Sequence, residues 1–505
     1  MTRIPIFALL SSALVMAQPA SERDVLARIR AEGLDHSQVA PVFDMLTVNI
    51  GPRLTASPAH KRAAEWARER LASYGLENAR LEPWKFGRGW TLEKLTIEMV
   101  APRYMPLLGY ADGWSASTSG EVVAAPAFIA SKTTPEELKA LAPQLKGAIV
   151  MTQPILTNFV RKDRPQPSDP DYVPMSAAYA TSAGRPSTGS GRAGAPTAAE
   201  TAQQRNQRVT DAMKAAGAAV LLKPSIGEHG TVFVTGRDGG PGAVPSVTLS
   251  AEHYNMIARY LQENIPVTLR VNVQTKFYDA DEGNAYNVVA ELPGTDPVLK
   301  DEVVMIGGHL DSWHTGVGAT DNADGSTTVM EAMRILKAIG ARPRRTIRVA
   351  LWGGEEQGLL GSKAWVADHL AGPANLPARE KFDVYYNIDN GTGKIYGWFL
   401  QNQEEVRPIF DSWLEPLKSI GARRNVGEPV GSTDHLSFTD AGVPGFNPIQ
   451  DYGNYDIRTH HTNMDTVDRL DVNDIRQAAI VMATFAYQSA MADRKLPRPK
   501  PGPSR

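Results

Sequence analysis

Between Tyr286 and Ile388 the chain repeats one pattern: a continuous apolar run, a glycine-rich or polar turn, then a helix-like stretch. The apolar runs are VVMI from Val303, TIRVAL from Thr346 and VYYNI from Val384. Runs this short and this apolar fit strands buried on both faces, which is the habit of parallel sheets. Ser326 to Ile339 fits a helix between two of them, with Val329, Met330, Met333 and Leu336 on one face and Gly340 as its stop. The alternation predicts an α/β fold, a mostly parallel mixed sheet flanked by helices. Val472 to Ala492 reads as a mostly apolar packing helix.

Upstream the texture differs. Residues 22 to 84 are expected to be mainly helical: Ser57-Pro58 supplies a cap and a proline at the first helical position. Ala63, Ala64, Trp66, Ala67 and Leu71 then form an apolar stripe that stops near Gly75. From about Glu121 short apolar runs are split by glycine and proline, at Gly147, Ala218, Val244 and Pro266, which predicts short β-strands. Ser176 to Arg208 carries few large apolar groups to offset its ordering entropy and is expected to be a long mobile loop. Leu496 to Arg505, rich in proline and basic residues, is expected to fray.

Arg3, the apolar run Ile4 to Met16 and the small residues before Ser21 read as a secretory signal peptide, cut after Ala17 or Ala20. The protein is therefore expected to be exported, to the periplasm or the medium. No other stretch is long and apolar enough to span a bilayer. With 505 residues, 42% hydrophobic and 21% charged, the chain can bury a large core. Lys and Arg total 53 against 55 Asp and Glu, so no basic field exists to hold nucleic acid. Cysteine is absent, which excludes disulfides, thiolate ligands and cysteine nucleophiles, and leaves His, Asp and Glu to hold any metal.

Those residues gather where a parallel sheet binds ligands, just past the carboxyl ends of strands. VVMI runs into GGHLD, with His309 and Asp311 two apart, and Asp321 follows at the mouth of the next helix. TIRVALW opens into GGEEQG, presenting Glu355 and Glu356; Asp389 follows VYYNI, and THHTNMDT supplies His460 and His461. Each residue alone has a bland reading, an Asp as a helix cap or a Glu pair as a solvated face. Together they concentrate negative charge with no lysine among them, which is unfavourable unless a cation sits there. Imidazole with carboxylate favours zinc over calcium or magnesium, and leaves manganese or cobalt open.

GGHLD, ATDNADG, WGGEEQGLLGSKAW, NID, STDHLSF and HHTNMDT, in that order and spacing, resemble the co-catalytic di-zinc aminopeptidase family, in its carboxypeptidase Q branch. The likeness runs from about residue 22 to 492 and includes IGPRLTASP from Ile50. It implies that Asp321 bridges two zinc ions, with His309 and Asp389 on one and Glu356 and His461 on the other. Glu355 would be general base and acid, and Asp311 would orient His309. The activity implied is that of an exopeptidase, aminopeptidase or dipeptidase, cleaving short peptides with a free amino terminus by a metal-bridged hydroxide. The likeness also implies the zinc exopeptidase fold with a β-rich protease-associated domain inserted, and suggests a homodimer. The expected division is a signal peptide to residue 20, an N-terminal catalytic part over 21–119, the insertion over 120–275, the main peptidase domain over 276–493 and a tail over 494–505.

Glutaminyl cyclisation on a single zinc is the rival reaction, and a receptor-like scaffold without catalysis the rival class; the complete ligand set argues against both. His435 reads equally as a substrate-binding or a structural histidine, and His460 as a residue packed beside the ligands. Asp465 is expected to order the loop after His461, and His314 to face solvent. His36, His60, His229, His253 and His369 have no partner pattern.

Overall fold

The computed structural model describes residues 22–129, 133–163, 202–236 and 239–499. The expected signal peptide and most of the expected loop 176–208 lie outside the described residues.

A seven-stranded sheet forms the main body, in the spatial order Glu77–Lys85, Asn284–Leu292, Thr346–Trp352, Val303–His309, Phe382–Asn387, Gly445–Gln450, Ile395–Phe399. The four strands from Thr346–Trp352 to Gly445–Gln450 are parallel. The outer pairings are antiparallel, so the sheet is evenly mixed rather than mostly parallel. The apolar runs with a helix between them are the parallel strands, because a parallel pair needs a crossover. The edge strand Glu77–Lys85 falls in the segment expected to be helical. Its sequence, ENARLEPWK, has no apolar alternation because most of it stays at least partly exposed, and its pairing with Asn284–Leu292 is what makes it a strand.

Side chains alternate across the central strands. Val304 and Ile306 join the face packed with Met333, Ile335 and Ile480 from the helices Asp324–Ala338 and Val472–Met491. Met305, Ala350, Trp352 and Tyr385 join the other, with Trp365 and Phe438. Phe438 stacks on Tyr385 with ring centroids 4.1 Å apart, and its truncation to alanine would cost about 3–5 kcal/mol. The helix Pro58–Ser73 starts as its sequence suggests: the Ser57 side chain accepts the His60 N–H, and Ala63, Ala64, Ala67 and Leu71 are buried.

Residues 89–278 intervene between two neighbouring strands of this sheet and build a second unit with two sheets of their own. Gly89–Ala101 pairs along its length with Thr268–Tyr278, flanked by Met105–Pro106 and Val122–Ala124. The expected division at residue 120 runs through this sheet. The other sheet has the order Gly109–Ala111, Ser246–Leu249, Val220–Pro224, Ile149–Met151, Pro126–Phe128. Among the described residues the helices Pro135–Leu145, Ala202–Ala216 and Ala251–Gln262 accompany these strands, so the unit is α/β in character. Residues 202–208, expected to be loop, begin the second of these helices. The first residues of the expected frayed tail are held: Leu496 is buried and its N–H donates to Asp383. Among the described residues no helix is long and apolar enough to cross a membrane.

Candidate metal centre

The carboxyl ends of the parallel strands carry the polar cluster. His309 is the last residue of its strand; Trp352 leads through Gly353 and Gly354 to Glu355 and Glu356; Asp389 follows Asn387. Gly353 has to be glycine, since a Cβ there would stand 2.8 Å from both the His60 ring and the Tyr286 carbonyl. His460 and His461 arrive from the loop after Gly445–Gln450.

Asp321 occupies the middle. Its Oδ1 lies 3.2 Å from His309 Nε2 and its Oδ2 3.5 Å from His461 Nε2. Asp389 Oδ2 is 3.8 Å from His309 Nε2 on one side, and Glu356 Oε2 is 2.8 Å from His461 Nε2 on the other. Glu355 offers a carboxylate oxygen within 4.8 Å of His309 and Asp389 ligand atoms.

Asp311 supports His309 in two ways. His309 Nδ1 lies 2.9 Å from the Asp311 carbonyl oxygen, nearer than the 3.5 Å to its carboxylate. A carbonyl only accepts, so the proton sits on Nδ1 and the Nε2 lone pair faces the cluster. The Asp311 carboxylate accepts from the Thr55 hydroxyl at 2.8 Å and from the backbone N–H groups of Glu355 and Glu356. It thereby fixes the turn that presents both glutamates.

Asp465 performs the parallel task for Asp321, accepting from the Thr320 N–H and hydroxyl and from the Asp321 N–H. Arg53, fully buried, donates to the carbonyls of Leu310, Val317 and Gly318 and so ties both ends of the loop between His309 and Asp321. Burial lowers its pKa to about 10, which leaves it charged at neutral pH.

These buried acceptors have too few donors. His309 Nε2, Asp321 Oδ2 and Glu356 Oε1 find no hydrogen-bond partner among the described residues. Burial first, then the neighbouring carboxylates, pushes both Glu355 and Glu356 well above the usual carboxylate range. A histidine lone pair and several carboxylate oxygens facing one another are the donor set a cation satisfies. The residues present fit a metal.

The other histidines behave differently. His460 Nε2 stands 3.8 Å from Asp321 Oδ2 while its ring stacks on Tyr455 and leans on His461. His435 Nε2 bonds the Val430 carbonyl at 3.0 Å, and burial lowers its pKa to about 4, so it is a neutral ring tied to its own loop. His314 is buried, against expectation: Nε2 reaches the Ala111 carbonyl at 2.8 Å and the ring meets Trp90 edge-on, because the second unit covers the loop. Sequence reasoning passed over His60, Thr55, Arg53 and Asp434. His60 is neutral and buried against Gly353. Asp434, also buried, is close enough for its charge to act on Glu355. The lone arginine in the IGPRLT segment was the available signal for Arg53.

Residues 287–486 match the model of peptidase family M28. That stretch holds every cluster residue named above except those supplied by Arg53, Thr55 and His60. The chain is 28% identical over 476 residues to carboxypeptidase Q of Bos taurus, covering 93% of this chain and 88% of that protein. The crystal structure of a peptidase M28 precursor from Shewanella amazonensis SB2B superimposes with a TM-score of 0.69 at 26% identity, over 95% of this chain and 99% of that one. A zinc aminopeptidase from Bacillus subtilis shares the fold, with a TM-score of 0.57 at 19% identity over 91% of this chain and 96% of its own. The chain is a metallopeptidase, and the stretch that matches the M28 model contains the carboxylate–imidazole cluster.

Proposed function

We propose that this metallopeptidase is an exported two-zinc exopeptidase acting on short peptides with a free amino terminus. The observation that carries the reading is Asp321, whose two oxygens each face a different histidine, one paired with Asp389 and the other with Glu356. His309, Asp321 and Asp389 would hold one zinc, and Asp321, Glu356 and His461 the other. When bound, the metal pair would polarise the scissile carbonyl and acidify the attacking water. Glu355, beside but outside those two sets, takes the water's proton and returns it to the leaving amine. Asp311 keeps His309 in the tautomer whose Nε2 is free.

Residues 120–275 are read as the protease-associated insertion, in keeping with their place inside the second unit, which lies between two paired strands of the main sheet. Export rests on the first twenty residues, and mature protein should begin at Gln18 or Ser21. A homodimer is expected by resemblance, to be measured by sedimentation.

The deciding assay uses zinc-loaded protein with dipeptides, amino-blocked dipeptides and amino-acid anilides. Cleavage of free-amino substrates with none of the blocked ones supports the reading. Equal cleavage of blocked peptides would overturn the requirement for a free amino terminus.

A further inference from the structure

The two sides of the metal cluster are braced by different parts of the chain. On one side, His309 is held by the Asp311 carbonyl, and the Asp389 carbonyl accepts from Asn447 Nδ2 at 2.8 Å, all within the main body. On the other side, the loop carrying His461 is laced to residues 228–234 of the second unit. The Val234 N–H donates to the His461 carbonyl at 2.9 Å, and the Asn463 N–H to the Val232 carbonyl at 3.3 Å. Between them Phe233 and Thr462 form an antiparallel bridge. The Asn463 side chain closes the pairing, accepting the Val232 N–H at 2.7 Å and donating to the Gly230 carbonyl at 3.2 Å. Arg458 reaches the Glu228 carbonyl and the Thr231 hydroxyl.

His461 has a φ of 62°, a conformation that non-glycine residues hold only where the surroundings enforce it. Its ring meets Trp313 edge-on, and Trp313 in turn packs edge-on against Trp114 of the second unit. The backbone of this residue is thus held directly by the second unit, and its ring is held through Trp313, which the second unit backs with Trp114.

We propose that the second unit is a selective clamp on the Glu356/His461 metal position, with Asn463 and Arg458 as positioning residues that act through His461. The clamp presets the direction of the imidazole, so the second unit sets the affinity of one metal and leaves the His309/Asp389 position untouched. The proposal rests on the two-metal reading.

Metal affinity, not turnover, tests it. Zinc is titrated against a chelator of known affinity in Asp389→Asn protein, which keeps the Glu356/His461 position, and in Glu356→Gln protein, which keeps the other. Adding Asn463→Ala should weaken zinc about 10- to 100-fold in the first background, the range typical of lost ligand support, and by less than about two-fold in the second. Arg458→Met should act in the same direction, and melting of the metal-free variants reports whether they fold. Equal weakening in both backgrounds, or none in either, overturns the clamp while leaving two metals in place. A parent protein that binds one zinc overturns the two-metal reading and the selectivity with it.

Discussion

Asp112 and the Asp321/Glu356 pair are buried carboxylates that differ in how they are satisfied. In the five-stranded sheet of the second unit, Asp112 accepts from the Thr248 hydroxyl at 2.7 Å, from the Ser246 hydroxyl and from Lys223 Nζ at 2.5 Å. Every oxygen has a donor supplied by the chain. At the end of the main sheet, Asp321 and Glu356 are buried as deeply, yet Asp321 Oδ2 and Glu356 Oε1 have none among the described residues. Burial of charge is common to both. What marks the second as a site is the deficit of donors, since a buried acceptor left unmet costs more than a hydrogen bond returns.

The largest expected effect follows from filling that deficit. Exhaustive chelation should abolish peptide hydrolysis and lower the melting temperature, and added zinc should restore both, because a ligand bound only by the folded state stabilises it. Full activity in protein shown by elemental analysis to be metal-free would erase the distinction between the clusters.

Next comes the difference between adjacent glutamates. Glu355→Gln should reduce turnover by roughly 10²- to 10⁴-fold with zinc content unchanged. Glu356→Gln should instead lose zinc, with activity partly recovered at high zinc. Identical metal content in the two variants would show that their roles are wrongly divided.

The Asp112 cluster should respond in stability alone. Asp112→Ala strips the partners from Ser246 and Thr248 and should destabilise the fold by about 1–3 kcal/mol, with zinc content at the parent level by elemental analysis. A drop in zinc content would mean that this cluster too serves the metals. The smallest effect belongs to Lys223→Ala, because its ammonium is partly exposed and pairs in a solvated setting. Denaturant unfolding should register a loss of no more than about 1 kcal/mol.

Much of the site could be read along the chain because each of its elements is local: a buried strand with a carboxylate or imidazole at or just past its carboxyl end. His309, Glu355, Glu356 and Asp389 follow that rule, and their convergence follows from parallel strands ending on one side of a sheet. The residues that hold them were less legible. Arg53 and Thr55 lie more than 250 positions from the Leu310 carbonyl and Asp311 carboxylate they bond, and nothing in local periodicity announces such a partner. His314 was misjudged for the same reason, since its burial depends on Ala111 and Trp90 in the second unit.

By itself the sequence determined the three central parallel strands of the main sheet, the helices over 326–339 and 472–492 and the residue types able to hold a metal, because hydrophobic period and strand-end chemistry are short-range properties. Only the tertiary structure decided that Glu77–Lys85 is a strand, that residues 89–119 pair with the second unit, and that the His461 loop is laced to residues 228–234. Those outcomes rest on backbone hydrogen bonds between segments far apart in the chain. A backbone N–H or C=O is the same in nearly every residue, so its choice of partner leaves no mark on the local pattern of side chains.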